Sequence, residues 1–430
     1  MMRSMFSGVS GLRVHQTRMD VIAHNVSNVN TVGFKSSRTL FDDMFSQTIQ
    51  PASAPSPAVG RGGVNPMQIG LGANVASIDR LMNPGAAQRT DNAFDLLIEG
   101  PGFFIVGDAN GTFFTRNGAM RLDVAGNLVN ANGLHLLGWP REEDEENPGS
   151  FVIRRGEVEP IRLTAEMQFS PPSMTTATRF EGNIDSSPGS PDTILTTLPI
   201  RDSLGNRHLL RFEFIRQPAG PGADYTEWEI HLLDLPPTLD PTNATITLSP
   251  AEIRFNVHGR IIHPDPDFIL NLDLSGVGVP GSAAELGEID IDFSAMTQFG
   301  NTRTDITGLD MDGLSAGRLI DVSIGQDGIM MGRYDNGAMQ ILWQIPVAEF
   351  QNPPGLDAIG GSLFAATANS GEFNGVGIDG IMRGGVLEMS NVDLSAEFTD
   401  MIITQRGFQS NSRIITTSDD MLQELVNLRR

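Results

Sequence analysis

The sequence predicts a multidomain protein. An α-helical coiled-coil domain, built from paired helices at the two chain ends, carries nested and mainly antiparallel β domains. Three observations carry this expectation. All 26 prolines fall between Pro51 and Pro354, which leaves both ends free to be helical. Both ends repeat apolar residues every seven positions: Met5, Leu12, Met19 and Val26 with Ile22 beside them, then Leu394, Met401, Phe408, Ile415 and Leu422. Seven residues make two helical turns, so each series forms a narrow stripe that seeks another helix. Between the ends, short apolar runs alternate with Asn-Gly and Asp-rich turns, the pattern of antiparallel strands.

The N-terminal helix domain is placed at 1–45, with the helix itself at 3 to about 30. Gly8 and Gly11 sit inside it, and glycine in a helix interior costs about 1 kcal/mol against alanine, so this helix does not persist alone. Residues 46–72 hold four prolines with many Gly and Ser and read as an extended linker with little secondary structure. A β domain opens at 73–145 with the strand-like runs FDLLIEG and GFFIVGD. Turns follow at Asp108–Gly111, Asp123–Gly126 and Asn130–Gly133.

Residues 146–286 read as an inserted, acidic β domain. Seventeen of the 26 prolines lie between 140 and 280, and residues 141–300 carry 26 acidic against 11 basic side chains. HLLRFEFI and TEWEIHLLDL are its clearest strands. The β domain resumes at 287–384 with turns at Asp327-Gly328 and Asp335–Gly337. A C-terminal helix domain at 385–430 starts from Asp393, an N-cap residue type, with Glu397 in the first turn and Arg429 and Arg430 at the far end, as the helix dipole favours.

Composition excludes several functions. A net charge of −23 does not suit a nucleic-acid binder. Zero cysteines rule out disulfides and thiolate metal sites. The basic residues are 28 Arg and a single Lys, Lys35. No apolar run approaches the ~20 residues that span a bilayer, and the first residues lack the apolar core of a secretory signal. Gly276–Gly281 and Gly375–Gly380 match G-x-G-x-x-G, but neither is followed by the helix that phosphate binding needs. His258 and His263 are separated from a helical metal geometry by Pro264 and Pro266. No catalytic, cofactor or metal site emerges, and the expectation is of a non-enzyme. The plainer reading of the terminal stripes is two helices that pack only on their own domain.

Residues 20–38, DVIAHNVSNVNTVGFKSSR, bear a more specific signal: Asn25, Asn28, Asn30, Thr31, Gly33, Phe34 and Lys35. This segment resembles the N-terminal signature of the bacterial flagellar rod and hook family, with His24 where that family more often has Asn. Ser390–Ser395, Met401-Ile402, Gln405-Arg406, Gln409–Asn411 and the final Leu-Val-Asn-Leu resemble its C-terminal signature, and Glu99–Phe104 with Arg116–Gly118 its β domain. The length and the acidic insertion resemble the hook branch. Phe45–Gln50 with the Pro-rich stretch after it resembles the distal rod branch.

The resemblance implies a structural subunit that polymerises helically into a hollow tube, a flexible joint passing torque from motor to filament and a conduit for exported subunits. The terminal helices would form its inner wall and the β domains its outer layers. Implied partners are further copies of the chain, the distal rod protein, the hook cap and hook–filament junction proteins, and the flagellar type III export apparatus. The implied location is the extracellular hook, reached without a cleaved signal. A secreted β-rich adhesin is the competing class.

Overall fold

The computed structural model describes all residues except 1, 56–61, 109–110, 145–150, 188–190, 219–223, 234–238, 240–246, 250, 264–268, 275–285, 301–302, 378–380 and 428–430. Two long helices are present, α1 (Met2–Ser27) and α2 (Leu394–Asn427). Asp393 caps α2 as expected: its Oδ1 accepts the Ser395 N–H at 2.9 Å and the Ala396 N–H at 3.4 Å. The terminal arginines lie outside the described residues.

The chain leaves α1 into a β arm, where the expected linker is corrected. Strand β1 (Ser37–Asp43) pairs antiparallel with β4 (Ala73–Arg80), and between them β2 (Ser46–Gln50) pairs with β3 (Met67–Gly70). A bridge between Ser53 and Val64 extends the ribbon. The prolines fall beyond the paired residues of β2, so they do not interrupt its ladder. Residues 37–43 therefore belong to the arm rather than to a helix domain, and 73–80 to the arm rather than to the β domain.

The β domain is one large, mainly antiparallel sheet. Strands Gly317–Ile324, Ile329–Tyr334, Met339–Gln344, His135–Glu143, Phe103–Asp108, Gly111–Thr115, Leu363–Ala365 and Asp357–Gly360 follow in spatial order. Phe103–Asp108 lies at its centre and is buried on both faces. Phe104 and Val106 enter one core with Leu136, Leu342 and Met330, while Phe103 and Ile105 enter another with Phe114, Phe350 and Phe364. Burial on both sides explains why FFIV is a continuous apolar run instead of an alternating one. The turns at Asp123–Gly126 and Asn130–Gly133 are formed, as are those at Asp327-Gly328 and Asp335–Gly337, where Gly328 and Gly337 take φ of +72° and +87°.

The inserted domain is a sandwich of two five-stranded sheets. Arg207–Gln217 alternates buried and exposed residues, as HLLRFEFI implies. Phe180 and Phe293 of one sheet stack at 5.5 Å, and Phe180 meets Phe212 and Phe214 of the other edge-on, each at 5.6 Å. Ala177–Asn183 and Glu288–Thr297 form a parallel pair, and Thr307–Asp310 pairs on the far side of Ala177–Asn183. The sandwich strands thus run from 177 to 310. Phe151–Ile153 and Glu159–Pro160 pair with His135–Glu143 of the β domain. The expected limits of 146 and 286 both fall too early, because charge and proline content track exposure and not strand pairing.

Gly375 and Gly377 lie in strand Asn374–Gly377, paired with Val347–Glu349, so the start of that glycine motif is sheet, while 378–380 and Gly276–Gly281 lie outside the described residues. Among the described residues no group of three metal-ligating side chains forms, and no helix is long and apolar enough to cross a membrane.

Candidate assembly site

Helices α1 and α2 lie against each other in antiparallel order. Ser4 Oγ sits 3.3 Å from Ser418 Oγ, Gly8 faces Ile415, Gly11 faces Asn411 and His15 faces Gly407. Arg18 pairs with Asp400 at 3.0 Å, and Asn25 Nδ2 donates to Glu397 Oε1 at 2.9 Å. The approach is close. A β-carbon on Gly11 would lie 2.7 Å from Asn411 Nδ2, and one on Gly407 would lie 2.6 Å from His15 Cε1. The glycines that weaken each helix in isolation are what let the two meet.

Within one chain, this contact uses only part of the expected assembly seam. The buried residues of α2 are small and polar, Thr404 and Ser418, while those of α1 are mixed: Gly8, Val14, Ile22 and Asn25. Of the expected stripe, Ile22 is buried and Ile415 lies over Gly8. Met5, Leu12, Met19, Val26, Met401 and Leu422 are only half-buried, and Leu394 and Phe408 are exposed, Phe408 by 43%. The apolar heptad is real but rotated by one position, since Ser4, Gly11, Arg18 and Asn25 keep the same seven-residue spacing one residue earlier. It flanks the seam, and α2 exposes further apolar side chains on more than one side: Phe398, Ile402, Ile403, Phe408, Ile414 and Met421. The arm adds Phe45, which is 87% exposed, with Ile49, Met67 and Ile69.

The motif after α1 makes the joint between the helices, the arm and the β domain. Asn28 Nδ2 donates to His24 O at 2.9 Å, and Thr31 Oγ1 donates to Asn28 Oδ1 at 3.1 Å, which closes the end of α1. Asn25 reaches forward: its Nδ2 donates to Ser37 O at 2.7 Å and its Oδ1 accepts the Ser37 N–H at 3.0 Å. Phe34 packs edge-on against His24, and Asn30 is exposed. Gly33 has φ of +67°, and its missing side chain lets it lie against the backbone of Arg116 and Asn117, where a β-carbon would come within 2.7 Å. Lys35 is buried and binds Glu388 at 2.6 Å, with Arg116 on the other side of that carboxylate at 3.5 Å.

Sequence reasoning identified Lys35 but missed Glu388, Arg116 and Asn391. The Asn391 amide accepts the Ser36 N–H at 2.7 Å and donates to Leu81 O at 2.8 Å. Asn391 and Arg116 both fall inside the quoted motifs, which was the available signal. Glu388 had none, because its partners lie more than 250 residues away in sequence. Burial raises the Glu397 carboxyl above the usual carboxylate range against the Asn25 hydrogen bond, and burial lowers His15, with Arg18 adding to the effect.

Models of four families match the chain in order: "Flagella basal body rod protein" at residues 5–35, "Flagellar hook protein FlgE/F/G D1 domain" at 97–168, "Flagellar basal body protein FlaE D2 domain" at 170–314 and "Flagellar basal body rod FlgEFG protein C-terminal" at 383–428. The chain is 37% identical to the flagellar hook protein FlgE of Borreliella burgdorferi over 474 aligned positions, covering 100% of both chains. It is 35% identical to that of Treponema pallidum, again covering 100% of both. It is 30% identical, with 100% of both chains covered, to the flagellar basal-body rod protein FlgG of Bacillus subtilis.

Proposed function

We propose that this chain, which belongs to the flagellar hook protein family and is a structural subunit of the hook, polymerises through the exposed apolar side chains of α2 and the exposed arm. One observation carries this reading. The paired helices leave Phe398, Ile402, Ile403 and Phe408 of α2 at least 43% exposed, and so many large apolar side chains left in water on one helix support an interaction surface there. Heterologous contacts between like copies generate an open helical polymer. Copies joined through these side chains would place the α1–α2 pairs around an axis as a coiled-coil inner wall, with the β domain and the sandwich outside. The specific partners at the two ends of such a tube, and passage of the chain through the flagellar export apparatus to the cell exterior, belong to the same reading.

Electron microscopy of concentrated protein tests it. The native chain forms tubes. Phe408→Asp puts a charge on one of these side chains, at the edge of the α1–α2 groove beside His15 and Met19, so it abolishes tubes while the β domain and the sandwich stay folded. Tubes from Phe408→Asp would show that these side chains of α2 are not the assembly contact. Curvature in the same images separates the flexible joint of a hook from a rod-type member, whose tubes stay straight.

A further inference from the structure

The buried charges at the joint pair within one chain, and three distant parts of the chain supply them. Lys35 comes from the segment between α1 and β1. Glu388 ends strand Val386–Glu388, just before α2, and Arg116 follows strand Gly111–Thr115 of the β domain. The side chains of Lys35, Arg116 and Glu388 are 1%, 3% and 1% exposed.

Backbone groups from the same regions complete the cluster. Glu388 Oε1 also accepts the Gly85 N–H at 2.8 Å, and the Glu388 carbonyl accepts the Gly33 N–H at 2.8 Å. Lys35 Nζ donates to Asn83 O at 2.9 Å, while Arg116 donates to Ile98 O at 3.2 Å and to Gly100 O at 2.6 Å and lies over the Phe103 ring. Glu388 Oε2 and Arg116 Nε have no hydrogen-bond partner among the described residues. Glu388 is the single carboxylate between the two cations, so Lys35 and Arg116 buried without it are uncompensated, and the absence of either cation leaves one oxygen of a buried Glu388 without its charged partner. Breaking a buried ion cluster on one side is far more costly than never having buried it. Burial accordingly lowers the Lys35 ammonium against the pull of Glu388.

We propose that Lys35, Glu388 and Arg116 are a clasp that shuts only when the N-terminal segment, the C-terminal segment and the β domain are all seated, so that the helix pair joins the β domain in one step and in one orientation. The clasp supplies specificity more than stability. It makes the attachment of the helices all-or-none.

Lys35 is the chain's single lysine, so acylation with a water-soluble N-hydroxysuccinimide acetate, read by mass spectrometry of its peptide, reports clasp opening with no other lysine to confuse it. On the full-length monomer, native Lys35 should react at least about 100-fold more slowly than in concentrated urea, as a residue exposed only by sub-global opening does. Along a urea gradient, Lys35 reactivity and amide exchange in α1 and α2 should rise together, before exchange rises in Arg207–Gln217 of the sandwich. Glu388→Gln keeps the shape and removes the charge. It should speed Lys35 acylation and helix exchange by a common factor, at least about 10-fold, with the sandwich unchanged.

Native acylation within about 3-fold of the unfolded rate overturns the clasp. So does a Glu388→Gln variant in which Lys35 opens while helix exchange stays put. Should that variant fail to fold, the gradient on the native chain decides, and separate transitions for Lys35 and the helices refute the proposal. All readings are on the monomer and hold whether or not tubes form.

Discussion

The sandwich and the helix pair sit in one chain yet treat their apolar residues in opposite ways. In the sandwich, Phe180, Phe212, Phe214, Phe293 and Trp228 are all buried to 1% exposure or less. In α2 the buried residues are Thr404 and Ser418, while Phe398, Ile402 and Ile403 stand at least half in water. The first region closes a large aromatic core within its own chain. The second is internally paired but keeps many of its large apolar side chains exposed, as expected where final burial comes from other copies. Chain ends whose order depends on that burial defer part of their ordering cost to assembly.

The comparison breaks most visibly at Phe212. Phe212→Ala removes an aromatic ring from a close-packed core and should destabilise the sandwich by about 3–5 kcal/mol in urea unfolding. Assembly contacts on α2 should survive, so tubes still form below the unfolding transition. Phe408→Asp is the mirror image: it should shift the same unfolding curve by less than about 0.5 kcal/mol while tubes disappear. If both variants lose stability alike, the two regions are not different in kind.

A smaller effect concerns pH. Glu397 is raised by burial, so its charged form opposes docking of α2 on α1. Its contribution is fully present below the unfolded carboxylate pKa and is lost as pH rises through the higher folded one. His15 is lowered, so the docked state resists its protonation, and docking weakens as pH falls through its unfolded pKa of about 6.5. The two trends oppose each other over acidic pH. Glu397→Gln should remove the first and leave a docking equilibrium, followed by helical circular dichroism, that only weakens on acidification. A slope unchanged by the substitution would mean that Glu397 is not held in the seam. The smallest effect belongs to the partly exposed Arg18–Asp400 pair: Asp400→Asn should cost about 0–1 kcal/mol, and a larger loss would make the seam electrostatic rather than steric.

Much of this architecture is legible in the residues. Asp393 announces α2, HLLRFEFI announces a half-buried strand, and Asp-Gly and Asn-Gly turns place the hairpins, because each is a local signal read within a few residues. The seam was not legible in the same way. Heptad reading follows apolar side chains, but here Gly8, Gly11 and Gly407 draw the helices so close that polar and small residues occupy the centre. The arm was missed because proline and glycine were read as excluding pairing, although the ladder needs only the few residues of β2 and β3. The limits of the insertion were missed because Glu288–Thr297 returns to pair with Ala177–Asn183 across more than a hundred residues. Lys35 carried a motif, but its partner Glu388 is distant and sits in no pattern.

Amide hydrogen exchange, compared between a verified monomer and assembled tubes, tests the central claim most directly. Protection in α1, α2 and the arm should rise by at least about 100-fold on assembly, while Arg207–Gln217 of the sandwich stays as protected as before. Helices already as protected in the monomer as the sandwich, with no gain in the tube, would contradict it.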